Sequence, residues 1–269
     1  IPAAAMGAFT PTQMDAMPNG ALSVISPSQF KSLTPAVIAS MSPEQRNALP
    51  QAALNPAANA APANTGNASA LAGALTGWNI DKVPANSFNN FKPKDAAKLS
   101  PETFSAMNPE QFKAMPANAF TGFKPDQVAA LSPQVFSGMK STQMASMPTN
   151  AFGSFNSEQL GALPAAAFGA MKPPQVGAMP PTAMAVMSPQ QVRALPATAV
   201  AGLKADQVAA LPASALATMK PAQVGALSPA SAAGFSNEKL AAMTPAQEKA
   251  LKPGFVNKLT PEQKAALKG

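Results

Sequence analysis

An all-α solenoid of short, capped helices is the fold class this sequence predicts, on three observations. Large apolar residues recur at alternating steps of five and three, as in Leu99, Phe104, Met107, Phe112, Met115 and Phe120. Most of the resulting octads carry a proline one or two residues after the anchor that opens them. Glutamine marks every second octad without a gap, at Gln111, Gln127, Gln143, Gln159, Gln175, Gln191, Gln207 and Gln223. A long internal repeat outranks other signals, because each unit buries its apolar face only against neighbouring units.

The rhythm runs in two blocks. Residues 1–54 carry it through Met6, Phe9, Met14, Met17, Leu22, Ile25, Phe30, Leu33, Ile38, Met41 and Leu49. Residues 55–74, "NPAANAAPANTGNASALAGA", read as a small-residue linker. Residues 75–269 resume the rhythm out of phase with the first block and hold it to Leu267.

The five-and-three spacing selects short helices. In a continuous α-helix eight residues turn through about 800°, so anchors would drift about 80° per octad. Proline in most octads would also break the hydrogen-bond ladder. A continuous strand would send successive anchors to opposite faces. In "LSPETFSAM", Leu99 takes N′, Ser100 the N-cap, Pro101 the first helical position, Thr103 N3 and Phe104 N4. Anchors at N′ and N4 make a hydrophobic staple, and Pro at N1 suits the orphan N–H there. In "MSPQQVRAL", Gln191 at N3 can reach back to the N-cap N–H as half of a capping box. Leu195 follows Val192 by one helical turn and opens the next octad.

Alternate octads differ. "FKPDQVAA" and "MSPQQVRA" represent one type, "MPANAFTG" and "LPATAVAG" the other, which gives a 16-residue double unit. In the second type proline comes one place earlier, so Met115 is expected to cap in extended, pre-proline geometry. The double unit predicts two octads per coil. A β-solenoid with 16-residue coils is the alternative; the helix-start chemistry of "SPEQ", "SPQQ" and "TPEQ" decides for helices.

Composition narrows the function classes. Only 12% of the 269 residues are charged, 30 are proline, and cysteine, histidine and tyrosine are absent. Disulfides, thiolate metal sites and cysteine nucleophiles are therefore excluded. No apolar run approaches the length of a membrane span. The opening "IPAAAMGAF" reads as the start of a processed or excised segment.

The unit L-[ST]-P-x-Q-V-x-A resembles the octapeptide tracts, of L-T-x-x-Q-[IV]-x-A type, in very large secreted bacterial repeat proteins and adhesins. "MSPEQRNA" (41–48), "MNPEQFKA" (107–114), "MSPQQVRA" (187–194), "MTPAQEKA" (243–250) and "LTPEQKAA" (259–266) carry the likeness. The proline-rich alternate octads depart from it. The resemblance implies a structural or adhesive role at a bacterial cell surface or outside the cell, and it carries over no site residues.

The chain is not expected to be an enzyme or to hold a cofactor or metal. Serine and threonine have no histidine partner. The acids Glu102, Glu110, Asp126, Asp206 and Glu262 fall in helix first turns, where the helix dipole favours them. Neither Ca²⁺-loop spacing nor a phosphate-binding glycine motif occurs. The Met and Phe stripe reads as core rather than a lipid site. Trp78 is expected to pack against a terminal coil, and the sequon Asn67-Ala68-Ser69 lies in the linker.

One charge pattern stands apart. Lys92, Lys124, Lys140, Lys172, Lys204, Lys220, Lys252 and Lys268 share one position of the 16-residue period. With two octads per coil they would form a single column, a candidate track for anionic polysaccharide in a chain of net charge +7. Solubilisation explains them as well. Nucleic acid is disfavoured, because no aromatic residue interleaves with the column. The sequence shows no polar capping segment at either end, so head-to-tail self-assembly into a filament, stalk or surface layer is the expected partner relation.

Overall fold

A computed structural model describes residues 2–26, 29–30, 32–49, 68–75, 80 and 83–267. Those residues form an all-helical repeat with no strand among them, which sets aside the β-solenoid alternative. Trp78, Asn67, Lys268 and most of the expected linker lie outside the described residues. Residues at the end of that linker form a helix, Ala68–Ala74. Ala68, Leu71, Ala72 and Leu75 follow helical spacing and are buried in the core of the second block.

The stapled octad accounts for most elements. In Pro109–Ala114 the N-cap Asn108 is extended and its side chain accepts the Gln111 N–H. Met107, Gln111, Phe112 and Met115 are all buried. Met115 then turns the chain in extended geometry, at φ −63° and ψ 132°. The next element, Ala117–Gly122, is a 3₁₀ helix, and its N-cap is Pro116, not Met115. Proline has no side-chain acceptor and, like Met115, is extended here. The turn here is i→i+3 bonded, as in Ala119 N–H to Pro116 O at 2.9 Å. Val135, Ala151 and Ala167 are buried at N3 of the same kind of element.

Each helix packs against those that begin 24 residues before and after it. Pro109–Ala114 contacts Ala85–Phe88 and Pro133–Gly138, and Ser141–Ser146 contacts Ala117–Gly122 and Ala165–Ala170. The first block repeats this: Pro11–Asp15 packs on Pro35–Ser40, and Asn19–Leu22 on Pro43–Ala48. Spatial neighbours are thus three octads apart, not two. The two-octad coil expected from alternating octads does not form. The alternation in sequence instead records which octads carry a glutamine.

Two glycines show how closely the layers approach. A Cβ on Gly122 would lie 2.0 Å from Pro93 O, and one on Gly202 would lie 2.0 Å from Pro173 O. Backbone passes over these positions, so no side chain fits. Phenylalanines fill the layer between: Phe112 and Phe120 meet edge-to-face at 5.1 Å, and Phe112 and Phe136 at 5.7 Å.

The block ends show which way N3 and N4 face. Gln13 at N3 is exposed while Met14 at N4 is fully buried. At the far end of the same block Gln45 is buried and Arg46 exposed. Gln263 and Lys264 repeat that contrast in the second block. The N3 side chain therefore faces the preceding layer and the N4 side chain the following one. Among the described residues the apolar side chains form two separate clusters, Met6 to Leu49 and Ala68 to Leu259.

Candidate functional site: glutamine ladders and lysine rows

Each glutamine uses both ends of its amide. Gln127 Oε1 accepts the Lys124 N–H at 2.8 Å, the local cap. Its Nε2 donates to Ala96 O at 3.0 Å and Leu99 O at 2.6 Å, residues 31 and 28 positions earlier. Gln159 does the same to Asn156 N–H, Val128 O and Leu131 O. Gln191 reaches Leu160 O and Leu163 O, and Gln223 reaches Val192 O and Leu195 O. These four link octads 32 residues apart. A second series interleaves with them. Gln111 donates to Ile80 O and Val83 O, Gln143 to Lys113 O and Met115 O, Gln175 to Ala145 O and Met147 O, and Gln207 to Val176 O and Met179 O. What reads in sequence as one ladder is two in space.

This second role explains why the residue is glutamine. Glutamate would complete the local cap equally well. It has no donor, however, and would set a carboxylate against two carbonyl oxygens in a site where Gln111 and Gln159 are 0% exposed. Sequence reasoning finds the accepting half from the N3 position and misses the donating half, which depends on residues about four octads away.

Three further glutamines, outside the 16-residue phase, act alike. Gln45 caps Ser42 N–H and donates to Met14 O, Asp15 O and Met17 O. Gln247 donates to Ala217 O and Met219 O, and Gln263 to Phe235 O. The segments "SPEQ", "TPAQ" and "TPEQ" are the signal that marks them.

The series ends on charged residues. Lys239 replaces glutamine and donates Nζ to Val208 O at 2.8 Å and Ala209 O at 2.6 Å. Having no acceptor, it leaves the Ser236 N–H without an N3 partner. Burial lowers its pKa below the ordinary lysine value, and Glu238 opposes that shift. Asp95 takes the same position at the other end: Oδ2 accepts the Lys92 N–H at 3.0 Å, and Oδ1 is buried without a partner.

Lys92, Lys124, Lys140, Lys172, Lys204, Lys220 and Lys252 are all exposed N-cap residues. The ladders divide them. Gln127 ties the octad of Lys124 to that of Lys92; Gln175 and Gln207 tie those of Lys140, Lys172 and Lys204 together. The ladders therefore divide the single column expected from sequence into two rows, each stepping 32 residues and so offset from the 24-residue stacking of the helices. One holds Lys92, Lys124, Lys220 and Lys252, with Asn156 and Ser188 between. The other holds Lys140, Lys172 and Lys204.

Lysine is a poor choice at these positions. Asn108, Asn156 and Ser188 accept the N3 N–H at 2.9, 2.8 and 3.2 Å. A lysine side chain cannot accept a hydrogen bond, and loss of an N-cap costs about 0.5–2 kcal/mol. An ammonium at a helix N-terminus also opposes the helix dipole.

No protein-family model matches the chain, and no curated protein matches it in sequence.

Proposed function

We propose that this chain is a non-enzymatic structural element outside a bacterial cell, built as a solenoid of eight-residue units with between three and four octads per coil. The observation that carries the reading is the pair of glutamine ladders. Buried amides fasten each layer to the one before it from Gln111 to Gln263, along one apolar cluster. Polar side chains are thereby committed to holding layers in register rather than gathered around a cavity. The extracellular placement rests on the likeness of "MSPEQRNA" and "LTPEQKAA" to octapeptide tracts of secreted repeat proteins.

Among filament, stalk and surface-layer subunit, a stalk fits best. In most second-block octads N4 is an apolar residue such as Phe112, Val128 or Leu160, each 0% exposed. In the layer of Pro245–Ala250 and Pro261–Ala265, by contrast, Glu248 and Lys264 stand at N4. Covering them with another coil would bury charge, which opposes open stacking. Negative-stain microscopy with light scattering tests the reading: rods of uniform length are expected. Fibres of indefinite length would restore the filament, and compact particles would reject the solenoid altogether.

A further inference from the structure

We propose that the two lysine rows form a binding surface for a linear acidic polysaccharide lying across successive coils. The inference goes beyond the structural reading and rests on three observations. First, lysine is retained where Ser, Thr or Asn would cap the helix, as Ser42, Asn156, Ser188 and Thr260 do. Seven departures from the local rule, all at one position and all of one charge, point to a role outside the fold. Second, none of the seven ammonium groups has a hydrogen-bond or ion-pair partner among the described residues, and all seven residues are exposed. Third, the ladders join the octads that carry these lysines: Gln175, in the octad of Lys172, donates to Ala145 O in that of Lys140, and Gln207, in the octad of Lys204, donates to Val176 O in that of Lys172.

Charge around the central row is mostly positive: the octads of Lys140 and Lys172 carry no acid, and that of Lys204 carries Asp206. Between Gln127 and Ala205 the only acid is Glu158, and it belongs to the octad of Asn156, in the other row. A flexible surface meant only for solubility would mix both signs. A polymer with regularly repeated carboxylates is the partner whose charge would complement a series of recurring ammonium groups. Nucleic acid fits less well: phenylalanine is confined to the buried layers, so no aromatic ring is exposed for base stacking among the described residues of this block.

The test uses the full chain and polygalacturonate as the probe, with duplex DNA in parallel, across a salt series. The row variant is Lys140→Ser, Lys172→Ser and Lys204→Ser. Serine supplies the missing cap, so this variant should melt higher than the parent while losing its charge. A control removes equal charge from exposed lysines outside the rows: Lys113→Gln, Lys249→Gln and Lys258→Gln. The parent should bind polygalacturonate with an affinity that falls steeply with salt. The row variant should bind at least about tenfold more weakly at low salt, and the control should stay close to the parent. Equal weakening in both variants would reduce the effect to net charge and overturn the proposal. So would absent binding by the parent, or a row variant that binds as the parent does. Tighter binding to DNA than to polygalacturonate would overturn the choice of partner. None of these outcomes bears on rod length, so the stalk reading stands or falls separately.

Discussion

A buried glutamine that accepts at home and donates to a neighbour is sensitive to changes that leave its size alone. Gln175→Ala should cost about 2–4 kcal/mol, the sum of several hydrogen bonds at about 1 kcal/mol each and the unmet carbonyls. Gln175→Glu keeps the acceptor and loses the donor, so at neutral pH it should destabilise at least as much. Burial against two carbonyls raises that glutamate's pKa in the folded state. A group with a raised folded pKa gains stability as pH falls through it. Acid should therefore partly rescue the glutamate variant and leave the alanine variant unchanged, which denaturant titrations at two pH values would read. Lys239→Gln runs the other way. It should stabilise by about 1 kcal/mol by restoring the cap and removing a half-buried charge. Because the Lys239 pKa is lowered in the folded chain, the parent binds its proton less tightly folded than unfolded. Its stability should rise, and the advantage of the variant shrink, as pH approaches the ordinary lysine value from below. A pH-independent gap would exclude the charge contribution.

At the scale of the element, caps and close approaches decide the outcome. A Cβ added to Gly169 would meet nothing within 4 Å, whereas one on Gly202 would strike Pro173 O at 2.0 Å. Gly169→Ala should thus be neutral or stabilise by up to about 1 kcal/mol, and Gly202→Ala should destabilise clearly by thermal melting. The stapled helix itself was legible in sequence, because N′, N-cap, N1, N3 and N4 all lie within six residues and their chemistry is local. Pro116 shows where local reading stops. A proline one place earlier is visible in sequence, but its standing as N-cap of a 3₁₀ helix follows from the extended backbone of Met115 and of Pro116 itself. The partner of each helix was not legible. Alternation of octad types suggested neighbours 16 residues apart, and the observed 24 depends on the turn angle between elements, which no single octad encodes. That one error placed all eight lysines in a single column.

At the scale of the whole molecule, layers touch only their neighbours, so damage should stay near its source. Val176→Asp buries a charge between layers. It should broaden the melt and expose amides near Lys172–Ala178 and the helices 24 residues to either side, while hydrogen exchange around Phe255 stays slow. A single sharp transition shifted uniformly would contradict this. The span of each glutamine staple has a kinetic consequence as well. Every long-range bond in the ladders closes a loop of 28 to 31 residues, whether it lies near Gln45 or near Gln263. Loop-closure entropy depends on the separation bridged, and here that separation is constant along the chain. Adding layers therefore adds no harder search. The slow step is assembling the first closed loop with its staple, and growth from there repeats one short closure. Refolding of this chain and of a version carrying extra octads should proceed at nearly the same rate, in contrast to folds whose contacts lengthen as the chain does.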